Sequence, residues 1–154
     1  MLRAIKKINR VLIMKLILYL IVTLLIMEVI GKIETKHVRI WIDDEGILNV
    51  KIKEGAEINL QEIQACFDAY TKLGCLKNKV LQLMEGGAFL TFNKDALQYA
   101  ADNGKYFFVA SAIVNNSMTI RMLFNFFNKF FKQPVPFKMF STKAEALEWL
   151  KTFR

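Results

Sequence analysis

At 154 residues, 54% of them hydrophobic and 23% charged, the chain is the size of one domain and can close a core without disulfides or metal. The net charge of +8 is gathered at one end: five of the 22 basic residues (Arg3, Lys6, Lys7, Arg10 and Lys15) precede residue 27 with no acid among them, leaving 17 basic against 14 acidic side chains, or +3. A remainder so near neutral argues against a nucleic-acid partner, and two cysteines with one histidine exclude a disulfide framework and a structural zinc site.

Residues 1–28 form a basic and hydrophobic segment, with Leu16 to Met27 uncharged. Counted back to Val11, the apolar run reaches the lower edge of the roughly 17–25 residues of a spanning helix. No small-residue cleavage site follows it. Two readings stay open. Residues 11–27 are a signal anchor whose basic flank stays in the cytoplasm, or Met27 is the true start and the segment is an over-long gene start. Membrane contact is expected through residues 1–28 alone, and the domain proper is expected over residues 29–154.

From His37 the pattern alternates, with Val38, Ile40 and Ile42 on one face and His37, Arg39 and Trp41 on the other; Leu48, Val50 and Ile52 repeat it. Such alternation predicts antiparallel strands. Asp43, Asp44 and Glu45 precede Gly46 between these strands and read as turn chemistry rather than a cation site. Next, Asn59 caps a helix, Glu62 completes a capping box, and Ile58 can staple against Ile63. Leu60, Ile63, Phe67, Tyr70 and Leu73 recur at helical spacing as far as Gly74, a left-handed stop. Cys66 falls on this helix and Cys75 just after it; both are expected as free thiols of a reducing compartment.

Residues 79–84, KVLQLM, predict a strand covered on both faces. Glu85, Gly86 and Gly87 follow, and Asn93 opens a helix with Ala96, Leu97 and Ala100 inward and Gly104 at its end. A carboxylate and two glycines between strand and helix mark a candidate ligand or partner loop, Glu85, Gly86, Gly87, Thr91 and Asn93, although its glycines lack phosphate-loop spacing. YFFVASAIV predicts a buried strand. Asn116 or Ser117 then caps an aromatic helix over residues 117–132, with Arg121, Asn125, Asn128 and Lys132 on one face.

Ile120, Leu123, Phe124, Phe127, Phe130 and Phe131 cover the opposite side of that helix, and Met122 and Phe126 flank it. This apolar arc is wider than one-sided packing needs, so Phe124, Phe126, Phe127, Phe130 and Phe131, with Arg121, form a candidate interaction surface. Pro134 and Pro136 bracket an edge strand in PVPFKMF. The last helix has a capping box of Thr142 and Glu145 and buries Ala146, Leu147, Trp149, Leu150 and Phe153. The order predicts an α/β domain with a mixed five-stranded sheet and four helices, preceded by a hydrophobic N-terminal helix.

The stretches GILNVKI and EINLQEI, VLQLMEGGAFLTFNKDALQYA, VASAIVNN with the N-F-F helix and PVPFKMF, and STKAEALEWL resemble the bacterial STAS/SEC14-type, SpoIIAA-like domains. The resemblance implies a cytoplasmic regulatory or interaction domain without a metal or redox cofactor. In the anti-sigma-factor antagonist branch, a serine at the N-terminus of the helix after the third strand is phosphorylated by a partner kinase. Here the D-S-x-G pattern is absent, Asn93 takes the cap and Thr91 is the only hydroxyl of the loop, so the phospho-switch is not carried over.

The expectation is therefore a non-enzymatic protein-interaction module, engaging a protein partner or a second copy through the 85–93 loop and the aromatic helix. Binding of a lipid or small apolar ligand between that helix and the sheet is the alternative, the SEC14-type role. No catalytic residue is assigned: His37 has no sequence-evident acid or nucleophile partner, and neither cysteine has a histidine near it.

Overall fold

The computed structural model describes residues 12–23, 31–130 and 134–154, and for 127–130 the backbone alone. The chain divides into two compact units, Met1–Lys32 and Ile33–Arg154. In the first, residues 12–23 are helical with nearly every side chain exposed. No helix among the described residues is long and apolar enough to cross a membrane. The expected anchor over residues 11–27 extends at both ends outside the described residues.

The second unit is built on a sheet of six strands rather than five, in the order β1-β2-β3-β5-β7-β8. These are β1 (Lys32–Glu34), β2 (Val38–Ile42), β3 (Ile47–Ile52), β5 (Val80–Gly86), β7 (Phe108–Val114) and β8 (Phe137–Phe140). A second, two-stranded sheet pairs β4 (Glu57–Ile58) with β6 (Thr91–Phe92) in parallel. The additional strands hold two or three residues each, too few for alternation to register in the sequence. The four helices of this unit are α1 (Leu60–Lys72), α2 (Lys94–Asn103), α3 (Met118–Phe130) and α4 (Lys143–Lys151).

The turn after β2 follows from its acids. Asp43 accepts from the backbone N–H of Glu45 and Ile47 at 3.0 and 2.9 Å, and Gly46 takes φ +76°. That closes an antiparallel pair in which Ile40 faces Val50. From β3 onward each strand runs parallel to the one before. Right-handed crossovers that step one way along a sheet deposit their helices on one face. Thus α1, α2 and α3 cover the face carrying Leu48, Val50, Ile52 and Ile113, in one core that holds Phe67, Leu97 and Phe124. On the other face Ala146 and Leu150 of α4 pack on Ile47, Leu83, Ala110 and Ala112. This second cover explains why β3 buries Ile47, Leu48, Asn49 and Val50 in succession.

Helix ends follow the capping chemistry fully at α4 and in part at α1. Thr142 and Glu145 form the reciprocal box at α4. At α1 the Asn59 side chain accepts from the Glu62 N–H at 2.9 Å, yet the Glu62 carboxylate turns away from the cap. It accepts instead from Thr35 Oγ1 at 2.6 Å and His37 N at 2.8 Å, tying the approach to β2 onto α1. Gly74 sits at φ +84° beyond α1, the left-handed stop. Leu60, expected inward, is exposed.

Candidate functional site

Three arrangements have the makings of a site: the segment around residues 85–93, the outward face of α3, and a cavity beneath it. The first is held by short-range contacts. Glu85 and Gly86 belong to β5, and the Glu85 carboxylate is 3.0 Å from Lys143 Nζ at the start of α4. A Cβ on Gly86 would stand 2.9 Å from Asn115 Nδ2 and from Leu90 Cδ2; one on Gly87 would stand 2.6 Å from Glu54 Cα. Both glycines therefore allow close packing rather than cradling an anion. Asn115 is buried and donates to the carbonyls of Gly86 and Gly87 at 3.2 and 3.4 Å while accepting from Ser117 N at 2.7 Å.

Beyond Gly87 the chain presents Phe89 to solvent. Its ring is 83% exposed and its backbone holds φ +55°, a left-handed conformation that a bulky side chain adopts at a cost. Leu90 then turns inward, and Thr91 lies exposed on β6 rather than at a helix N-terminus. Asn93 is the N-cap residue of α2, without a side-chain capping bond. Sequence reasoning missed Phe89, because nothing periodic distinguishes it from the core rings around it.

On α3 the candidate residues separate. Phe124 is 6% exposed and packs against Phe92 and Phe137, with ring centroids 5.7 and 5.5 Å apart, so it is core rather than surface. Phe126 is 59% exposed; with Met118 at 73% and Met122 at 67% it continues a ridge at spacings of four. Arg121 is half-buried and donates to Asn115 O and Ser141 Oγ, so it joins the start of α3 to the end of β8. The side chains of Phe127 and Phe130, and Phe131 altogether, lie outside the described residues. Phe89 follows the carboxyl end of β5 and Met118 that of its parallel neighbour β7, which places both at one edge of the sheet.

Between the sheet and the helices α1, α2 and α3 lies a cavity of about 90 Å³. Its walls are Phe67 of α1, Leu97 and Ala100 of α2, Met84 of β5, Phe124 of α3 and Phe137 of β8. The register sets Gln82 opposite Ser111, and both face this space with Tyr70. Ser111 Oγ donates to Gln82 Oε1 at 2.6 Å, and Gln82 Nε2 lies 3.5 Å from the Tyr70 hydroxyl. Burial holds the Tyr70 hydroxyl well above its ordinary range, so it stays a protonated donor.

Neither cysteine is placed as a nucleophile. Burial, with the Glu62 carboxylate adding to it, pushes the Cys66 thiol up to about 12. Cys75 is likewise raised by burial. Thiols held that way are protonated at neutral pH and unreactive. His37 Nδ1 is 4.0 Å from Glu62 Oε1, beyond hydrogen-bond reach, and among the described residues it has no partner. No group of three acids, histidines or cysteines among the described residues converges on a point where a metal could sit.

Comparison with solved structures supports the fold. An uncharacterised protein of the DUF3478 family with a SpoIIAA-like fold, from Shewanella loihica PV-4, superposes with a TM-score of 0.54 at 19% identity, covering 78% of this chain and 99% of that one. The anti-sigma factor antagonist SpoIIAA in its unphosphorylated form superposes with a TM-score of 0.50 at 13% identity, covering 74% of this chain and 97% of that one. The expected SpoIIAA-like fold is thus present, with the sheet extended to six strands. No curated protein matches the sequence. Residues 40–154 match the family described as Domain of unknown function (DUF7793), and the chain belongs to that family.

Proposed function

We propose that residues 33–154 form a non-enzymatic regulatory module that binds another protein, a different chain or a second copy of itself, through the apolar surface of Phe89, Met118 and Met122, which Phe126 extends. The observation that carries the reading is Phe89, which holds a costly backbone conformation while its ring lies 83% exposed. Strain kept where the fold gains little burial points to a use outside the fold. Large rings are favoured as the anchors of protein interfaces. The fold shared with an anti-sigma factor antagonist supports a regulatory role. Unreactive thiols support the absence of covalent chemistry, and two unpaired cysteines support a cytoplasmic setting.

The test compares the full chain with Phe89→Ser and Met122→Ser by sedimentation velocity and by affinity capture from extract of its own cells. Each variant is expected to keep the circular dichroism of the parent and to lose its dimer or captured partner. Folded variants that match the parent in both assays overturn the reading.

A second reading, a lipid or small apolar ligand held between α3 and the sheet, is favoured by the cavity there. Native mass spectrometry of freshly purified protein tests it. A stoichiometric adduct of low mass supports it, and an adduct-free spectrum counts against a tightly held ligand.

A further inference from the structure

We infer that the cavity under α3 is a site for a small neutral molecule with one hydrogen-bond-accepting oxygen on an apolar body, the oxygen against the Tyr70 hydroxyl and the body against Phe67, Leu97 and Phe124. This rests on the second reading above and adds the chemistry of the ligand.

The hydrogen-bond inventory sets the polar end. Tyr70 is 1% exposed, and its only bond is the 3.5 Å contact from Gln82 Nε2, at the outer limit of a hydrogen bond. In that contact the phenol oxygen accepts, so among the described residues its proton has no acceptor. Ser111 directs its own proton to Gln82 Oε1 at 2.6 Å, and it is the Nε2 end of that amide that turns to Tyr70. One phenol O–H and one amide N–H are thus without an acceptor among the described residues, on side chains that line an apolar space. A buried donor without a partner is costly, and an acceptor entering the cavity relieves that cost.

The walls set the rest. Apart from Tyr70 the described lining residues include no ionisable side chain, so a charged group there would meet no counter-charge among them. The room comes from α2, which presents Ala96, Ala100 and Ala101, followed by Gly104, where larger side chains would fill the gap. Cavities of about 150 Å³ accept benzene. On that scale the 90 Å³ here suits an apolar body of about four non-hydrogen atoms.

The test is an amide and aromatic NMR titration of the full chain. The probes are 2-butanone, xenon as an apolar probe without an acceptor, and butyrate and butylammonium as charged ones. Butanone is expected to saturate shifts at Ser111 and Ala100 and to move the Tyr70 ring resonances, which xenon leaves in place; the charged probes are expected to shift neither. Tyr70→Phe is expected to weaken butanone about five- to tenfold, the loss of one hydrogen bond, without weakening xenon. If that variant fails to fold, the Tyr70 ring resonances of the parent carry the decision. Xenon binding without butanone binding, or equal butanone affinity in Tyr70→Phe, overturns this inference and leaves the apolar-ligand reading standing. Failure of both butanone and xenon overturns both.

Discussion

Replacing Phe89 with asparagine separates what the fold needs from what its surface is for. A side chain other than glycine in the left-handed region costs about 1–2 kcal/mol, and asparagine is among the residues that tolerate it best. Because the ring is 83% exposed, little burial is lost with it, a few tenths of a kcal/mol at about 25 cal/mol per Å² of apolar surface. The balance predicts that Phe89→Asn is more stable than the parent by about 0.5–1 kcal/mol, or roughly 1–4 °C in midpoint for a domain of this length. Urea and thermal unfolding of the full chain, followed by circular dichroism, measure it, and the same variant is expected to lose its partner. A loss of stability would mean that the fold itself holds the ring, and the case for Phe89 as an outward anchor would collapse.

Three further outcomes follow from the interior. Because the folded Cys66 thiol lies at about 12 against an ordinary value of 9.0, the fold holds that proton more tightly than the unfolded chain does. The stability this contributes is complete below pH 9 and falls by about 1.4 kcal/mol per pH unit above it. Cys66→Ala, about 1 kcal/mol weaker at pH 7, is therefore expected to be the more stable protein by pH 11 in urea unfolding under reducing conditions, and parallel stability curves would refute the linkage. Glu62→Ala strands the His37 N–H and leaves the Thr35 hydroxyl only the more distant Val38 O at 3.3 Å, for an expected loss of about 2–3 kcal/mol, with Glu62→Gln losing less than half of that; a loss under about 1 kcal/mol would show that water replaces the carboxylate. Gly87→Ala forces a Cβ to within 2.6 Å of the Glu54 backbone, so a loss of about 1–3 kcal/mol and faster amide exchange over residues 53–56 and 86–90 are expected, and unchanged exchange would contradict the close approach.

Local chemistry was legible where it is decided locally. The α4 capping box lies within four residues and is present as read. At α1 the Asn59 half of the box is present, but Glu62 is drawn to groups 25 and 27 residues earlier in the chain, a tertiary competition that no local motif encodes. Strands of five to seven residues show their alternation or their apolar run; β1, β4 and β6 are too short to show either. The width of the aromatic arc on α3 was also legible, but not the division within it. Phe124 and Phe126 differ by two residues, about 200° around a helix, which is enough to send one ring into the core and the other to solvent. A ligand site between the aromatic helix and the sheet was the alternative reading, but the residues that leave room for it were not legible, because Ala96 and Ala100 read as an inward face whether or not anything fills the space before them.

The strand order bears directly on where a functional surface can lie. Open α/β sheets bind ligands in the crevice where strand order reverses, because neighbouring crossovers there leave toward opposite faces. Here the order from β3 through β5 and β7 to β8 never reverses, so the topology supplies no switch-point crevice there; a recess lined by Lys51, Lys53, Glu54 and Glu85 nevertheless lies at the ends of β3 and β5. Internal ties cross that edge: Glu85 to Lys143, Arg121 to Asn115 and Ser141, and Asn115 to the carbonyls of Gly86 and Gly87. These ties engage Glu85, Lys143, Arg121 and Asn115 with groups of the fold itself. What it offers outward is apolar, Phe89 and Met118, and what lies inward is a cavity whose unused donors belong to Tyr70 and Gln82. The same topology thus argues for contact with a protein on the outside of α3 and for a neutral ligand on its inside, and Phe124, two residues from Phe126 on the same helix, separates the two.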